Sequence, residues 1–301
     1  MDLKRRSVSL SETLGGVLIP LLIGATFLII SCVSAFAQST SGNGSSSAGD
    51  LLRKAVDSEL KAQSADHSQW MYQAKSEDSG KEQVKWIVET REGDLDRLLS
   101  VDGRAITRER QEQEDRRIEH LLHKSGEQRK RQRAQAADAQ QAERLFKMLP
   151  DAVTVKFGER KGSLVEILFQ PNPNFHPSSH EAAVFHAMEG RIWIDERENR
   201  LAGIEGHLLR PVKFYGGMLG HLDKDGKFYV KQSEVAPGHW EITLLNVRMR
   251  GKALFFKTIS VQQNEIRSNF QLMPDNMTLA QGADELHREC TAHAASSNGS
   301  R

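Results

Sequence analysis

The chain has 301 residues, 41 basic and 40 acidic side chains, and a formal net charge of +1. This balance provides no general basic field, which argues against nucleic acid as a partner. The length suffices for one large or two small domains with a hydrophobic core. Of the two cysteines, Cys32 and Cys290, only Cys290 would remain after removal of the first 37 residues. An intramolecular disulfide would then be excluded.

Residues 1–37 predict a secretory signal peptide, and therefore a periplasmic or secreted protein. Lys4 to Arg6 form a cationic start, Gly15 to Ile30 are almost all apolar, and Ala35 to Ala37 have the small-x-small pattern of a cleavage site. Two alternatives stay open. The apolar run approaches the ~20 residues that span a bilayer, so it could be retained as an anchor. Ile29 to Cys32 loosely resembles a lipobox, which would lipidate Cys32.

The segment after the signal predicts a tether, a helix and two strands. Residues 38–49 are rich in Ser and Gly, typical of a flexible linker. Asp50 is positioned as the N-cap of an amphipathic helix over Leu51 to Gln63. The β-branched and aromatic residues of Val84 to Thr90 predict a strand, and Leu95 to Val101 a returning strand.

A charged helical insertion is predicted over residues 107–149. It is rich in Arg, Gln, Glu and Ala, Ser125-Gly126 is expected to divide it into two helices, and Pro150 is expected to end it. No aromatic residue interleaves the cationic run Arg129 to Arg133. We therefore interpret the run as a solvated helical face, and not as a nucleic-acid site.

From Asp151 onward the hydrophobic period changes to two, which predicts an antiparallel meander of short strands. Asp223 to Gly226 predict a hairpin turn in preference to a calcium loop. The meander is expected to end over Ser260 to Glu265. Residues 50–290 would then form one domain, followed by a disordered tail at 291–301.

Three histidines are the strongest catalytic candidates. His176, His180 and His186 are close in sequence, but they lack the i, i+4 pair and intervening glutamate of a zinc protease helix. Cys290 has His287 three residues before it, and we interpret it as a thiol without function. We therefore expect a protein that is not an enzyme and has no metal or cofactor. A metal-dependent hydrolase using the three histidines is kept as an alternative.

A hairpin motif carries a resemblance to a known family. The run Gly190 to Glu196 (GRIWIDE) followed by Arg200 to Gly206 (RLAGIEG) resembles the lipoprotein-carrier superfamily that includes LolA, LolB and RseB-like periplasmic proteins. The resemblance implies an α+β fold, in which a strongly curved antiparallel sheet forms a half-open β-barrel covered by helices. The predicted insertion is longer than such carriers usually have. Arg91 or Arg97 would stand for the arginine that carriers use near their first strands.

The resemblance implies a non-catalytic function, the binding of lipid, a lipidated protein or another apolar ligand in the trough of the half-barrel. Membrane proximity would follow if the N-terminus were retained or lipidated. If the interior is instead a packed core, the chain would be an envelope interaction or sensor module. Strand alternation predicts the ligand-trough residues: Ile192, Ile194, Leu201, Phe228, Val230, Trp240, Ile242, Leu244, Leu254 and Phe256.

Overall fold

The computed structural model describes residues 47–78, 80–123, 125–179, 181–214, 220–253 and 257–298. The predicted signal peptide lies outside the described residues, as does most of the predicted linker. Within the described ranges, no helix is long and apolar enough to cross a membrane.

The fold is α+β, as predicted, and is built on one large antiparallel sheet. Its strands are β1 (Gln69–Asp78), β2 (Lys81–Val88), β3 (Leu95–Val101), β4 (Arg104–Ala105), β5 (Val153–Lys161), β6 (Leu164–Pro171), β7 (Met188–Asp195), β8 (Arg200–Leu208), β9 (Val212–Phe214), β10 (Gly220–Leu222), β11 (Lys227–Ala236), β12 (His239–Ala253) and β13 (Lys257–Met273). The described helices are α1 (Ala48–Ala65), α2 (Arg108–His123), α3 (Ser125–Ala152), a 3-10 helix (Glu181–Ala187) and α4 (Leu279–Asn298).

The first and last long strands meet in the middle of this sheet. The main path runs β4-β3-β2-β1-β13-β12-β11-β8-β7-β6-β5, and β9 and β10 pair beside β12. β1 pairs with β13 and β13 pairs with β12, all antiparallel. In the described part of the chain the edge strands β4 and β5 do not pair with each other, so the sheet is not closed.

Helix α1 begins earlier than its sequence pattern suggests. Ser47 is the N-cap: its hydroxyl accepts from the backbone N–H of Asp50 at 3.1 Å, while the Asp50 carboxylate accepts from the Ser47 backbone N–H at 3.1 Å. This reciprocal pair is a capping box. The prediction of Asp50 as N-cap is wrong because Asp50 holds the third helical position, where its charge also favours the helix N-terminus.

Two further predicted boundaries are wrong. Pro150 lies inside the last turn of α3, which ends at Ala152. The proline removes one backbone donor from the helix, and burial of Leu149 and Ala152 beside it in the core offsets that cost. The sheet does not end near Glu265 but continues in β13 to Met273. The Gln, Asn and Ser residues of this strand face solvent and conceal its β pattern. α4 then runs to Asn298, into the segment predicted as a tail.

The turn at Asp223 to Gly226 does not form a hairpin. β10 and β11 lie end to end along the same side of β12, with Leu222 opposite Gly251 and Lys227 opposite Arg248. Four residues therefore stand opposite two, which is the geometry of an enlarged bulge. The hairpin prediction is wrong because an Asp-Gly turn looks the same in sequence whether the chain reverses or continues.

Different helices cover the two faces of the sheet. α1, α3 and the 3-10 helix pack on one face, over strands that include β5 and β8. Their main core contains Leu52, Leu149, Ile167, Phe169 and Ile192. α2 and α4 pack on β2 and β3, where Ile118 and Leu286 join Trp86, Val88 and Leu95 in a second core.

The strand register shows that these two cores lie on opposite faces. Leu245 of the main core stands opposite Glu265, and Arg267, two residues on, stands opposite Ala74. Trp70, Tyr72 and Ala74 therefore share the face of the main core, which we call the inner face. Met71 belongs to the second core, on the outer face.

Close strand contact at Gly190 leads to a stability prediction. Gly190 stands opposite Gly206, and a Cβ on Gly190 would lie 1.9 Å from the Glu205 carbonyl oxygen. We expect Gly190→Ala to lower the free energy of unfolding by about 1–3 kcal/mol, measured by urea denaturation. Gly126→Ala is the control: it meets nothing within 4 Å and should leave stability unchanged or slightly raised. Equal effects of the two variants would contradict the prediction.

Candidate functional site

Most of the predicted ligand-trough residues lie in the main core. Six of them are almost fully buried on the inner face: Ile192, Ile194, Leu201, Phe228, Val230 and Ile242. Their alternation therefore marks the side of the sheet that is buried in the main core. They pack among the residues of the main core together with those of α1, α3 and the 3-10 helix.

The other four predicted residues do not join them. A bulge shifts the register between β11 and β12 after Lys231, so Leu245 faces the core and Leu244 faces the opposite side. The assignment of Leu244 to the inner face is wrong, because one extra residue reverses the alternation. Trp240 is half-buried and lies under the Arg200 guanidinium, 5.7 Å from it. Leu254 and Phe256 lie outside the described residues.

The structure describes two of the three histidine candidates, His176 and His186. His176 is exposed and contacts the Asn174 carbonyl at 2.9 Å, while His186 lies against the Phe175 ring. His180 lies outside the described residues. Among the residues that the structure does describe, no group of three His, Cys, Asp or Glu side chains is arranged to hold a metal ion. Cys290 is half-buried, and burial raises the pKa of its thiol, which makes the reactive thiolate scarcer.

An aromatic cluster on the inner face lies away from the main core. It consists of Trp70, Tyr72 and Phe270, contributed by β1 and β13. The Tyr72 and Phe270 rings are stacked with centroids 5.2 Å apart, and Trp70 meets Phe270 edge-on at 6.2 Å. A bulge at this point, with Asn269 at a φ of 56°, turns Phe270 toward Tyr72.

Arg267 covers the other side of Tyr72. Its guanidinium carbon lies 5.1 Å from the Tyr72 ring centroid, and its Nε donates to Glu265 at 2.7 Å. Tyr72 is thus held between an aromatic ring and a cation. Of the two arginines named from the resemblance, Arg91 is exposed, while Arg97 is buried and pairs with Asp115 of α2 at 2.5 Å. The buried arginine of the inner face is Arg267.

Three acidic side chains lie close to Arg267, and we call them the carboxyl cluster: Glu89, Asp94 and Glu241. Burial first, and then the Asp94 and Glu241 carboxylates, raise the pKa of Glu89 well above its usual range. Burial raises the pKa of Asp94 to about 7, against the opposing effect of Arg267. Burial, with a smaller contribution from Asp66, raises the pKa of Glu241 to about 7.

The carboxyl cluster is only partly satisfied by hydrogen bonds. Glu89 accepts from the Trp70 backbone N–H at 3.1 Å, while the Trp70 carbonyl accepts from the Glu89 N–H at 2.9 Å. The Oδ1 atom of Asp94 is buried and has no hydrogen-bond partner among the residues that the structure describes. Because an unpaired buried carboxylate is costly, these groups are partly protonated at neutral pH. The cluster can therefore donate hydrogen bonds or take up positive charge.

A serine, a histidine and an aspartate meet nearby without forming a catalytic triad. His239 Nδ1 lies 3.1 Å from Asp66 and 3.4 Å from the Ser68 hydroxyl, which itself donates to Asp66 at 2.6 Å. A triad requires the aspartate and the serine on opposite ring nitrogens. Here both contact the same nitrogen, and Ser68 also accepts from the Trp70 indole N–H at 3.0 Å. The group anchors Trp70 and closes the end of α1.

Sequence reasoning missed the aromatic and carboxyl clusters, which come from β1, β12 and β13 and from the residues around the β2–β3 turn. A search for similar proteins found no match to any family model, curated protein or solved structure. The site is therefore interpreted from its own geometry. The available signal was Glu89, a carboxylate that directly follows the apolar residues Trp86 to Val88 of β2.

Proposed function

We propose that this chain is a non-catalytic, exported binding protein that holds an apolar ligand, such as a lipid or a lipidated segment, on the inner face of a half-open barrel. The ligand site is the aromatic cluster with the adjoining carboxyl cluster. It replaces the trough residues predicted from alternation, which are packed in the main core.

The observation that carries the proposal is an exposed leucine beside the aromatic cluster. Leu272 stands opposite Trp70 in the register, so both occupy the inner face, yet Leu272 is 56% exposed. Apolar surface thus extends from buried aromatic rings to solvent on a face that helices cover over β5 to β8. Such a surface suits the body of an apolar ligand, at ~0.8 kcal/mol per buried methylene.

The polar groups suit the head of an amphiphile. At neutral pH the carboxyl cluster is near its midpoint of protonation, since the pKa values of Asp94 and Glu241 are about 7. Arg267, which is paired with Glu265, adds a guanidinium beside it. Hydroxyl, amide or amine groups could bond to such a mixture, and apolar contacts would provide most of the affinity.

The proposal predicts that the protein binds the uncharged probe N-phenylnaphthylamine. Binding is measured by the increase in the fluorescence of the probe. Leu272→Gln should weaken binding about tenfold, because burial of a leucine side chain contributes roughly 1.5–3 kcal/mol. The matched control is Leu164→Gln, which replaces a leucine that is 37% exposed at the start of β6 and should leave binding unchanged.

Absence of a fluorescence increase with the wild-type protein, or equal effects of the two variants, would refute the proposed site. Extraction of the purified protein and mass spectrometry of the extract provide a second measurement. Bound lipid in the wild type and less in Leu272→Gln would support the proposal. If probe and lipid are both absent, the interior is a packed core, and the interaction-module alternative becomes the better explanation.

A further inference from the structure

The outer face of the sheet carries a concentration of positive charge over β9 to β12. Lys227 stands opposite Arg248, and Arg248, Arg250 and Lys252 alternate along β12. Val247 and Met249, which alternate with these residues along β12, point into the main core. The three cations of β12 therefore face outward. Lys252 and Lys213 each stand opposite His221 of the short strand β10. We call these five lysines and arginines the cationic face.

These charges are left without acidic partners. All five side chains are exposed, and within the described residues none of them forms an ion pair. Of the acidic side chains near the array, Glu189 contacts His207 at 3.3 Å and Asp223 contacts His221 at 3.3 Å. Glu205 is exposed opposite Tyr229 and forms no ion pair within the described residues. Like charges directly opposite each other in a sheet, such as Lys227 and Arg248, are unfavourable for folding. A binding role is therefore a better explanation of the array than stability.

An aromatic pair lies on the same face. Tyr229 is two residues from Lys227 on β11, and its ring meets that of Trp193 edge-on at 5.9 Å across Gly203. Both rings are half-buried and partly reach solvent. Tryptophan and tyrosine are enriched where proteins meet the polar headgroup layer of a bilayer.

We propose that the cationic face docks on an anionic phospholipid surface. Charge complementarity requires a negatively charged occupant, and a sheet face presents its cations in one layer, as a bilayer surface does. With the export predicted from residues 1–37, phospholipid is the extended polyanion that the protein would meet, whereas nucleic acid would be left behind in the cytoplasm. This surface lies opposite the proposed ligand site, and either proposal can fail without the other.

The test is cosedimentation of the full chain, as processed by an exporting host, with phosphatidylcholine vesicles that contain or lack phosphatidylglycerol. The triple variant Lys227→Gln, Arg248→Gln, Arg250→Gln should raise the lipid midpoint for the anionic vesicles about fivefold per cation, roughly a hundredfold in all. The control Lys54→Gln, Lys61→Gln, Arg108→Gln removes the same charge from exposed helix positions and should change it little. The two triple variants share the same N-terminus, so its contribution to vesicle binding cancels in the ratio of their lipid midpoints.

A second variant separates charge from folding. Arg248→Lys with Arg250→Lys keeps both charges and should bind the anionic vesicles as the wild type does. Added salt should release both proteins from the vesicles. Equal midpoints for the triple variant and its control would overturn the proposal. Binding that does not depend on phosphatidylglycerol, or binding of duplex DNA without binding of anionic vesicles, would overturn it as well.

Discussion

Glu59→Ala should lower the free energy of unfolding by about 3–5 kcal/mol. The Glu59 carboxylate accepts two hydrogen bonds from Arg200, at 2.8 and 3.2 Å, and a third from the Leu201 backbone N–H at 2.6 Å. The two side chains are only 11% and 15% exposed. Removing one partner leaves a guanidinium and an N–H without their acceptor in a poorly solvated site, which costs far more than loss of a surface pair.

Urea denaturation checks this prediction against a matched pair on the same helix. Arg53 of α1 pairs with Asp151 at 2.9 Å, but both side chains are more than half exposed. Arg53→Ala should therefore cost at most about 1 kcal/mol. A cost below about 1 kcal/mol for Glu59→Ala, or equal costs for the two variants, would show that the pair does not fasten α1 to β8 in solution.

Asp94→Asn should stabilise the protein at alkaline pH by up to about 4 kcal/mol and leave it nearly unchanged at pH 4. The pKa of Asp94 is about 7 in the folded protein and its ordinary value is 3.8, so the folded state binds the proton more tightly. Its contribution to stability is therefore fully present below pH 4. It is lost as the pH rises to 7, at about 1.4 kcal/mol per unit. The amide imitates the protonated carboxyl and removes this loss.

Urea denaturation of wild type and variant across this pH range measures the effect. Asp57→Asn, on the exposed side of α1, is the control and should not alter the pH profile. If the wild type and Asp94→Asn lose stability in parallel between pH 4 and pH 8, Asp94 is solvated and the carboxyl cluster is not the buried site described above. The loss should be larger in wild type because ionised Asp94 also repels Glu89.

Local pattern was sufficient to predict helices and strands and much of the element order. The alternation of Ile192 and Ile194 indicated a buried strand face, and the spacing of Leu51, Leu52, Ala55 and Val56 predicted a helix whose apolar side is buried. Hydrophobic periodicity reports which side of an element is covered, because that depends on neighbours in sequence. It does not report what covers that side, so a core and a ligand trough gave the same pattern.

The register and the candidate site were decided by the tertiary structure alone. The bulge that turned Leu244 outward depends on the partner strand, and the continuation of Asp223 to Gly226 along β12 depends on two strands at once. The carboxyl cluster joins residues that are far apart in the chain, and their burial is the largest cause of their raised pKa values. The sequence by itself determined a balanced charge, the presence of both helices and strands, and a predicted export signal. Long-range strand pairing determined where aromatic rings, carboxyls and unpaired cations meet.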